Sequence, residues 1–209
     1  MYMCYDYKSS IIGWLVGSGS SLYMLSNPQS YDNWVPLFIL TYSQIQILEA
    51  FLWTNLNDKE ANGYVTGLIP YFLLLQSLMN SYLGYKATNE NILYYMTLTY
   101  IFLILYYALS TKNSTYQSTI GKDGTLVWRR YENGKEVMLL GNWIIAILYL
   151  LGLFVPLMYI PDPTMRYTFT TFAIVTFAYN LYNYGKDLSS RWCYTVIWIS
   201  LLALFLNRK

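Results

Sequence analysis

Residues 35–54 read VPLFILTYSQIQILEAFLWT, twenty positions with one charged side chain, Glu49, between the polar stretches Tyr31-Asp32-Asn33 and Asn55 to Asn62. A helix rises 1.5 Å per residue, so this stretch is as long as the ~30 Å hydrocarbon layer of a bilayer is thick. The backbone inside such a layer must satisfy its own polar groups, which selects a helix or a closed barrel. No ten-residue apolar and polar alternation recurs along the chain, so a barrel is excluded and the helix remains.

The rest of the sequence repeats this pattern. Apolar stretches of spanning length lie near 9–25, 35–54, 64–83, 91–110, 141–160, 167–184 and 191–206. The breaks between them carry turn residues, including Asn27-Pro28 and Pro161-Asp162-Pro163. Composition points the same way. Charged residues make up 11% of the 209 residues, against about 25% in soluble domains, while 56% are hydrophobic and 19% aromatic. Too few charges are present to cover a water-facing surface of this size. The expected fold is an all-α, seven-transmembrane-helix bundle, with lipid bilayer as its surroundings.

The distribution of charge agrees with this division. Of the acids only Glu49 falls inside a span, and the lysines and arginines lie outside spans or at their ends. Trp34, Trp53, Trp143 and Trp192 fall near span ends, where an interfacial aromatic belt is expected. One side of the seven-span map collects Lys8, Lys59, Lys112, Lys122, Arg129, Arg130, Lys135, Lys186 and Arg191, against Lys86, Arg166, Arg208 and Lys209 on the other. That asymmetry favours an inside N-terminus. It rests on one long connection, which also contains the glycosylation-type triplet Asn113-Ser114-Thr115.

That connection, 111–140, is the one stretch outside the spans long enough for structure of its own. Two turn signals, Gly121-Lys122-Asp123-Gly124 and Glu132-Asn133-Gly134-Lys135, flank a segment in which Leu126, Trp128 and Arg130 alternate with Val127, Arg129 and Tyr131. The pattern predicts an extramembrane three-stranded β-meander over about 116–139, inserted between the fourth and fifth helices. Arg129, Arg130 and Trp128 are its candidates for contact with acidic headgroups or a partner. A solvated hairpin that only shields the end of the bundle is the alternative.

Several activities are excluded by residue types. The chain has no His, which removes the common general base, the Ser–His and Cys–His pairs and imidazole metal sites. Its two cysteines, Cys4 and Cys193, make neither a disulfide framework nor a thiolate metal site. No catalytic set, metal site or cofactor is expected, and a net charge of +2 gives no reason to expect a nucleic-acid partner. Gly13, Gly17 and Ser21 form a small-residue seam for close helix packing.

An acid within a span is costly and marks a functional candidate. On a helix Tyr42, Gln46, Glu49 and Trp53 share one face. Gln76 and Asn80 lie one turn apart on the third span, and Thr176, Asn180 and Asn183 share a face of the sixth. Glu49, Gln46, Tyr42, Gln76, Asn80 and Asn180 are therefore the candidates for a polar solute or proton site. Interhelical hydrogen bonding without any transported species explains the same residues.

The run Tyr31-Asp32, the helix with Gln46-x-x-Glu49 and Trp53, Gln76 in the next span and Leu126-Val127-Trp128 before the fifth together resemble uncharacterised multi-pass proteins encoded by large DNA viruses of algae and protists. Some bacterial membrane proteins share the Gln-x-x-Glu-x-x-x-Trp portion. The resemblance implies seven helices in a viral or host-cell membrane and brings no established activity. The expectations are a channel, transporter or sensor acting on a small ion or proton, or a structural, partner-recruiting membrane protein. Homo-oligomerisation is compatible with both.

Overall fold

The structure is a computed structural model that describes residues 6–26, 33–121, 124–184 and 195–206. Among these residues the helices are α1 (Tyr7–Ser26), α2 (Trp34–Thr54), α3 (Lys59–Thr88), α4 (Asn91–Ser110), α5 (Trp143–Phe154), α6 (Pro163–Tyr184) and α7 (Thr195–Leu206). A 3-10 turn, Pro156–Tyr159, follows α5. Strands β1 (Thr115–Ile120), β2 (Leu126–Glu132) and β3 (Lys135–Val137) lie between α4 and α5. The fold is thus mostly helical with one small sheet.

Short polar side chains start these helices. At α1, the Ser9 amide donates to Asp6 Oδ1 (2.9 Å) and the Asp6 amide to Ser9 Oγ (3.2 Å), a reciprocal cap. The Ser9 hydroxyl and amide, with Lys8 close by, hold the Asp6 carboxyl below its ordinary value of 3.8. Asp58 accepts from the amides of Glu60 and Ala61, each at 3.0 Å, and begins α3 at Lys59. The sequence reading placed 55–62 in a connection. The cap and the following turn instead carry the helix several residues beyond its apolar part. The span expected over 141–160 is also revised: Pro156 cannot continue the hydrogen-bond ladder, so α5 ends at Phe154 and the 3-10 turn completes the stretch. Asn27-Pro28 and residues 191–194, including Arg191 and Trp192, lie outside the described residues.

The meander has the expected order, β1-β2-β3, all antiparallel, with Ser118 opposite Trp128 and Glu132 opposite Lys135. Asn133 (φ 50°) and Gly134 (φ 74°) supply the two left-handed residues of a tight hairpin. On the other edge, Asn62 of α3 takes the place of a neighbouring strand. Its amide nitrogen donates to Ser118 O (3.0 Å), and its oxygen accepts from Ser118 N (2.7 Å). Thr66 Oγ1 and Ser118 Oγ add a 2.7 Å bond, while Gly63 and Gly67 leave room for Tyr116. One edge of the sheet is thereby covered.

The bundle buries a mixed interior. Ile39, Ile45, Ile69, Leu74 and Tyr100 are buried, and so are Ser10, Ser43, Gln46, Glu49, Gln76, Ser77 and Asn80. Outside, α4 shows Tyr95, Phe102, Leu105 and Leu109 on its exposed faces, α5 Trp143 and Ile144, and α7 Trp198 and Phe205. Among the described residues two helices, α2 and α4, are long and apolar enough to cross a membrane, and most of α4 is not buried. The other helices fall short for local reasons. Ser, Gly, Thr, Asn and Tyr dilute α1, α3 and α6, while α5 is 12 residues long and α7 is described over Thr195–Leu206. Trp34 departs from the belt expectation: it is buried and donates from its indole to Asn80.

Candidate functional site

The polar stripe of α2 is turned inward as its spacing predicts. Tyr42, Gln46 and Glu49 are all buried, Gln46 and Glu49 completely. Tyr42 packs against Phe38, and its hydroxyl lies 3.3 Å from Thr195 Oγ1 of α7. The small residues of α1 allow a close approach to this stripe: a Cβ added at Gly13 would stand 3.0 Å from Gln46 Oε1, and Ser18 Oγ is 3.1 Å from Ser43 Oγ. The seam of Gly13, Gly17 and Ser21 is buried, in keeping with its packing role. Gln46 has the distinctive chemistry of this region. Its amide is wholly buried, yet neither Nε2 nor Oε1 has a hydrogen-bond partner among the described residues. A buried polar group in this condition is rare, since each one costs about 1–3 kcal/mol.

Gln76 and Asn80 behave differently. Gln76 accepts from Tyr149 Oη of α5 (3.2 Å) and donates to Tyr42 O of α2 (3.4 Å). Asn80 accepts from Trp34 Nε1 (2.9 Å) and donates to Gly152 O (3.1 Å) and Leu153 O (3.0 Å). It therefore satisfies carbonyls at the end of α5, which have no donor within their own helix. Ser77 Oγ adds a bond to Tyr149 O (3.0 Å). These residues fasten α3 to α2 and α5. Asn180 and Thr176 do not join them: the Asn180 amide bonds to Thr176 O of its own helix (2.8 Å), and Asn183 is exposed. The candidates expected to line one cavity are thus divided between an unpartnered amide on α2, an interhelical clasp on α3 and a self-bonded side chain on α6.

Cavities are formed elsewhere among the described residues. An apolar pocket of about 20 Å³ lies among Trp34, Phe38, Leu157 and Phe169. An open groove of about 480 Å³ runs along α1, α2 and α3 beside Trp14, Ser18, Thr41, Gln44 and Phe72. Trp14 donates to Gln44 Oε1 (3.3 Å) at its wall. Neither contains Gln46 or Glu49.

In the meander, the three surface candidates point in two directions. Arg129 is on the outer face, where it pairs with Glu136 and donates to Thr119 Oγ1 (3.2 Å). Arg130 and Trp128 alternate with it and are buried with Leu126 on the inner face. The expectation that Arg130 and Trp128 are exposed on the sheet surface is corrected accordingly, because the side of β2 that carries Leu126 and Trp128 is the side that packs. Arg130 lies over the Tyr107 ring (5.9 Å) and bonds Glu132 Oε1 through Nη2 (2.8 Å).

Comparison with protein-family models, with curated proteins and with solved structures finds no match. The residues that sequence reasoning passed over are the partners of the clasp: Trp34, Ser77, Tyr149 and Gly152. Gly152 alone carried a signal, as an isolated glycine in an apolar run.

Proposed function

We propose that the chain is a multi-pass integral membrane protein of seven spans, with the β-meander outside the bilayer and an interior site at Gln46 and Glu49 that takes a proton or a small polar solute. The membrane part is supported by the large apolar side chains on the outside of the bundle and the polar ones buried within it. Apolar residues such as Phe102, Leu105, Leu109, Ile144 and Phe205 face outward, and the amides and hydroxyls of α1–α3 face inward. In water each exposed side chain of this kind forgoes about 1.5–3 kcal/mol of burial, whereas lipid removes the penalty.

The observation that carries the site is Gln46, a buried amide with one donor group and one acceptor unused, a helical turn from a buried carboxyl. An amide can receive and release a polar solute by exchanging hydrogen bonds, and a carboxyl can add or lose a proton. The small residues of α1 against this face let a guest be accommodated by a slight displacement of one helix. A second reading, a structural membrane protein without translocation, is favoured by Asn80 and Gln76, whose polar atoms are spent on neighbouring helices.

The sign of one stability change separates these readings. If Gln46 serves a guest, Gln46→Leu removes an unsatisfied amide and stabilises the folded protein by about 1–3 kcal/mol, while proton or solute flux in proteoliposomes falls. Glu49→Gln, a mimic of the neutral acid, folds and inserts normally and abolishes the pH dependence of that flux. Destabilisation by both substitutions, with no flux in any form, leaves only the structural reading. Impermeant thiol labelling tests the span map: engineered cysteines at 123 and 134 react, and those at 103 and 150 are protected.

A further inference from the structure

We infer that Arg130 and the N-terminus of α5 form a binding site for a phosphate-class anion at the extramembrane end of the bundle. Arg130 is 3% exposed. Its Nη2 is committed to Glu132, but Nε and Nη1 have no hydrogen-bond partner among the described residues. Nη1 is turned to Gly141, lying 3.6 Å from where a Cβ on that residue would be. Gly141 has φ +97°, a conformation other residues rarely adopt, and it stands two positions before the first residue of α5. Thus the free side of a buried guanidinium meets the start of a 12-residue helix.

That start is itself a donor array. Asn142 Oδ1 caps the amide of Ile145 (3.0 Å), while the amides of Trp143 and Ile144 precede the first acceptor of the helix. Trp128, two residues before Arg130 on the same face of β2, has a buried indole N–H that also lacks a partner among the described residues. Nearby acceptors are already engaged: Leu139 O takes the Tyr107 hydroxyl (2.7 Å), and Glu132 takes Nη2. A collection of unused donors, one carrying full charge, beside a helix N-terminus calls for a compact anion with several oxygens. Trp143 and Ile144, the first residues of α5, are exposed, as an aromatic and aliphatic rim at a membrane interface would be. The same chemistry admits a phospholipid headgroup phosphate or a soluble phosphate.

The test uses the full chain, purified in a phosphorus-free maltoside detergent. Inorganic phosphate and dihexanoyl phosphatidic acid are titrated separately at matched ionic strength against wild type, Arg130→Gln, Arg130→Lys and Arg129→Gln. Binding of at least one ligand is expected. Arg130→Gln weakens it about tenfold or more, Arg130→Lys weakens it through loss of the planar fork, and Arg129→Gln leaves it nearly unchanged. Response to phosphatidic acid alone assigns the site to lipid, response to inorganic phosphate alone to a soluble ligand, and response to both to their shared headgroup chemistry. In wild type, where no variant needs to fold, the bound ligand slows hydrogen exchange of the Trp143 and Ile144 amides. No binding of either ligand, equal weakening by Arg129→Gln and Arg130→Gln, or unchanged exchange at those amides overturns the assignment.

Discussion

Replacing Gly152 by alanine tests a close contact of α5 with α3 and α4. A Cβ on Gly152 would lie 2.4 Å from Ser77 Cβ and 2.5 Å from both Cζ and Oη of Tyr100. Carbon atoms in contact stand 3.5–4.0 Å apart, so α5 must retreat by roughly 1 Å or Tyr100 must leave its position. Such overpacking costs about 1–3 kcal/mol. The retreat also stretches three bonds that cross the same contact: Tyr100 Oη to Leu148 O (2.6 Å), Ser77 Oγ to Tyr149 O (3.0 Å) and Asn80 Nδ2 to Gly152 O (3.1 Å). Interhelical bonds of this kind contribute about 0.6 kcal/mol each, which brings the expected loss to roughly 3–5 kcal/mol. Gly19→Ala provides the comparison: no atom lies within 4 Å of its added Cβ, and higher helix propensity should stabilise α1 by about 0.4–1 kcal/mol. Unfolding in mixed micelles, followed by tryptophan fluorescence, gives both values. Adding Ser77→Gly to Gly152→Ala removes the nearest carbon and should recover about 1 kcal/mol as a coupling energy. A Gly152→Ala protein within about 0.5 kcal/mol of wild type, or no coupling to Ser77, refutes this packing.

Asn80→Leu leaves the Trp34 indole and two α5 carbonyls without partners, and should lower stability by about 1–3 kcal/mol. Trp34→Phe in that background should cost much less than it does alone, which the same unfolding assay reads as a double-mutant cycle. Gly134→Val places a β-branched residue at φ 74° in the hairpin and should cost about 1 kcal/mol or more, seen as faster hydrogen exchange through β2 and β3. Because Ser9 lowers the pKa of Asp6 on folding, the α1 cap contributes stability in full above about pH 3.8 and loses it as pH falls through the folded value. The protection of the Ser9 and Ser10 amides, taken as exchange relative to the intrinsic rate at each pH, should therefore fall on acidification, and Asp6→Asn should flatten that response.

The parts of the fold most legible in the sequence were those in which one physical requirement acted alone. α4 occupies 91–110 as read, because an uninterrupted apolar run between Glu90 and Lys112 leaves one helical solution. The meander was legible through Asn133-Gly134, whose backbone preference fixes the hairpin, and through the alternation of β2. The same alternation held the orientation of Arg130, since Leu126 and Trp128 on its face must be buried. Hydropathy concealed the start of α3: Lys59, Glu60 and Asn62 are polar, and only the Asp58 cap marks the helix. The inward face of α2 was legible from spacing, but the division of roles was not. That Gln76 is bonded and Gln46 is not depends on which helix lies opposite each, and sequence periodicity carries no information about neighbours.

The 30 residues of α3 make a rod about 45 Å long, some 15 Å more than the hydrocarbon of a bilayer. Its first nine residues, Lys59 to Gly67, include Asn62 and Thr66, which bond β1, and Gly63 and Gly67, which lie against Tyr116; on the proposed membrane reading the surplus length is a mast and the sheet is what it carries. Pro70 stands just below that grip. Without an N–H it gives nothing to the Thr66 carbonyl, and the rod is weakest in bending at that level. A bend of about 10° there would swing the top of α3, roughly 16 Å above, through about 3 Å. The sheet would travel with it through Asn62, while Gln76 and Asn80, below the joint, would keep their hold on α2 and α5.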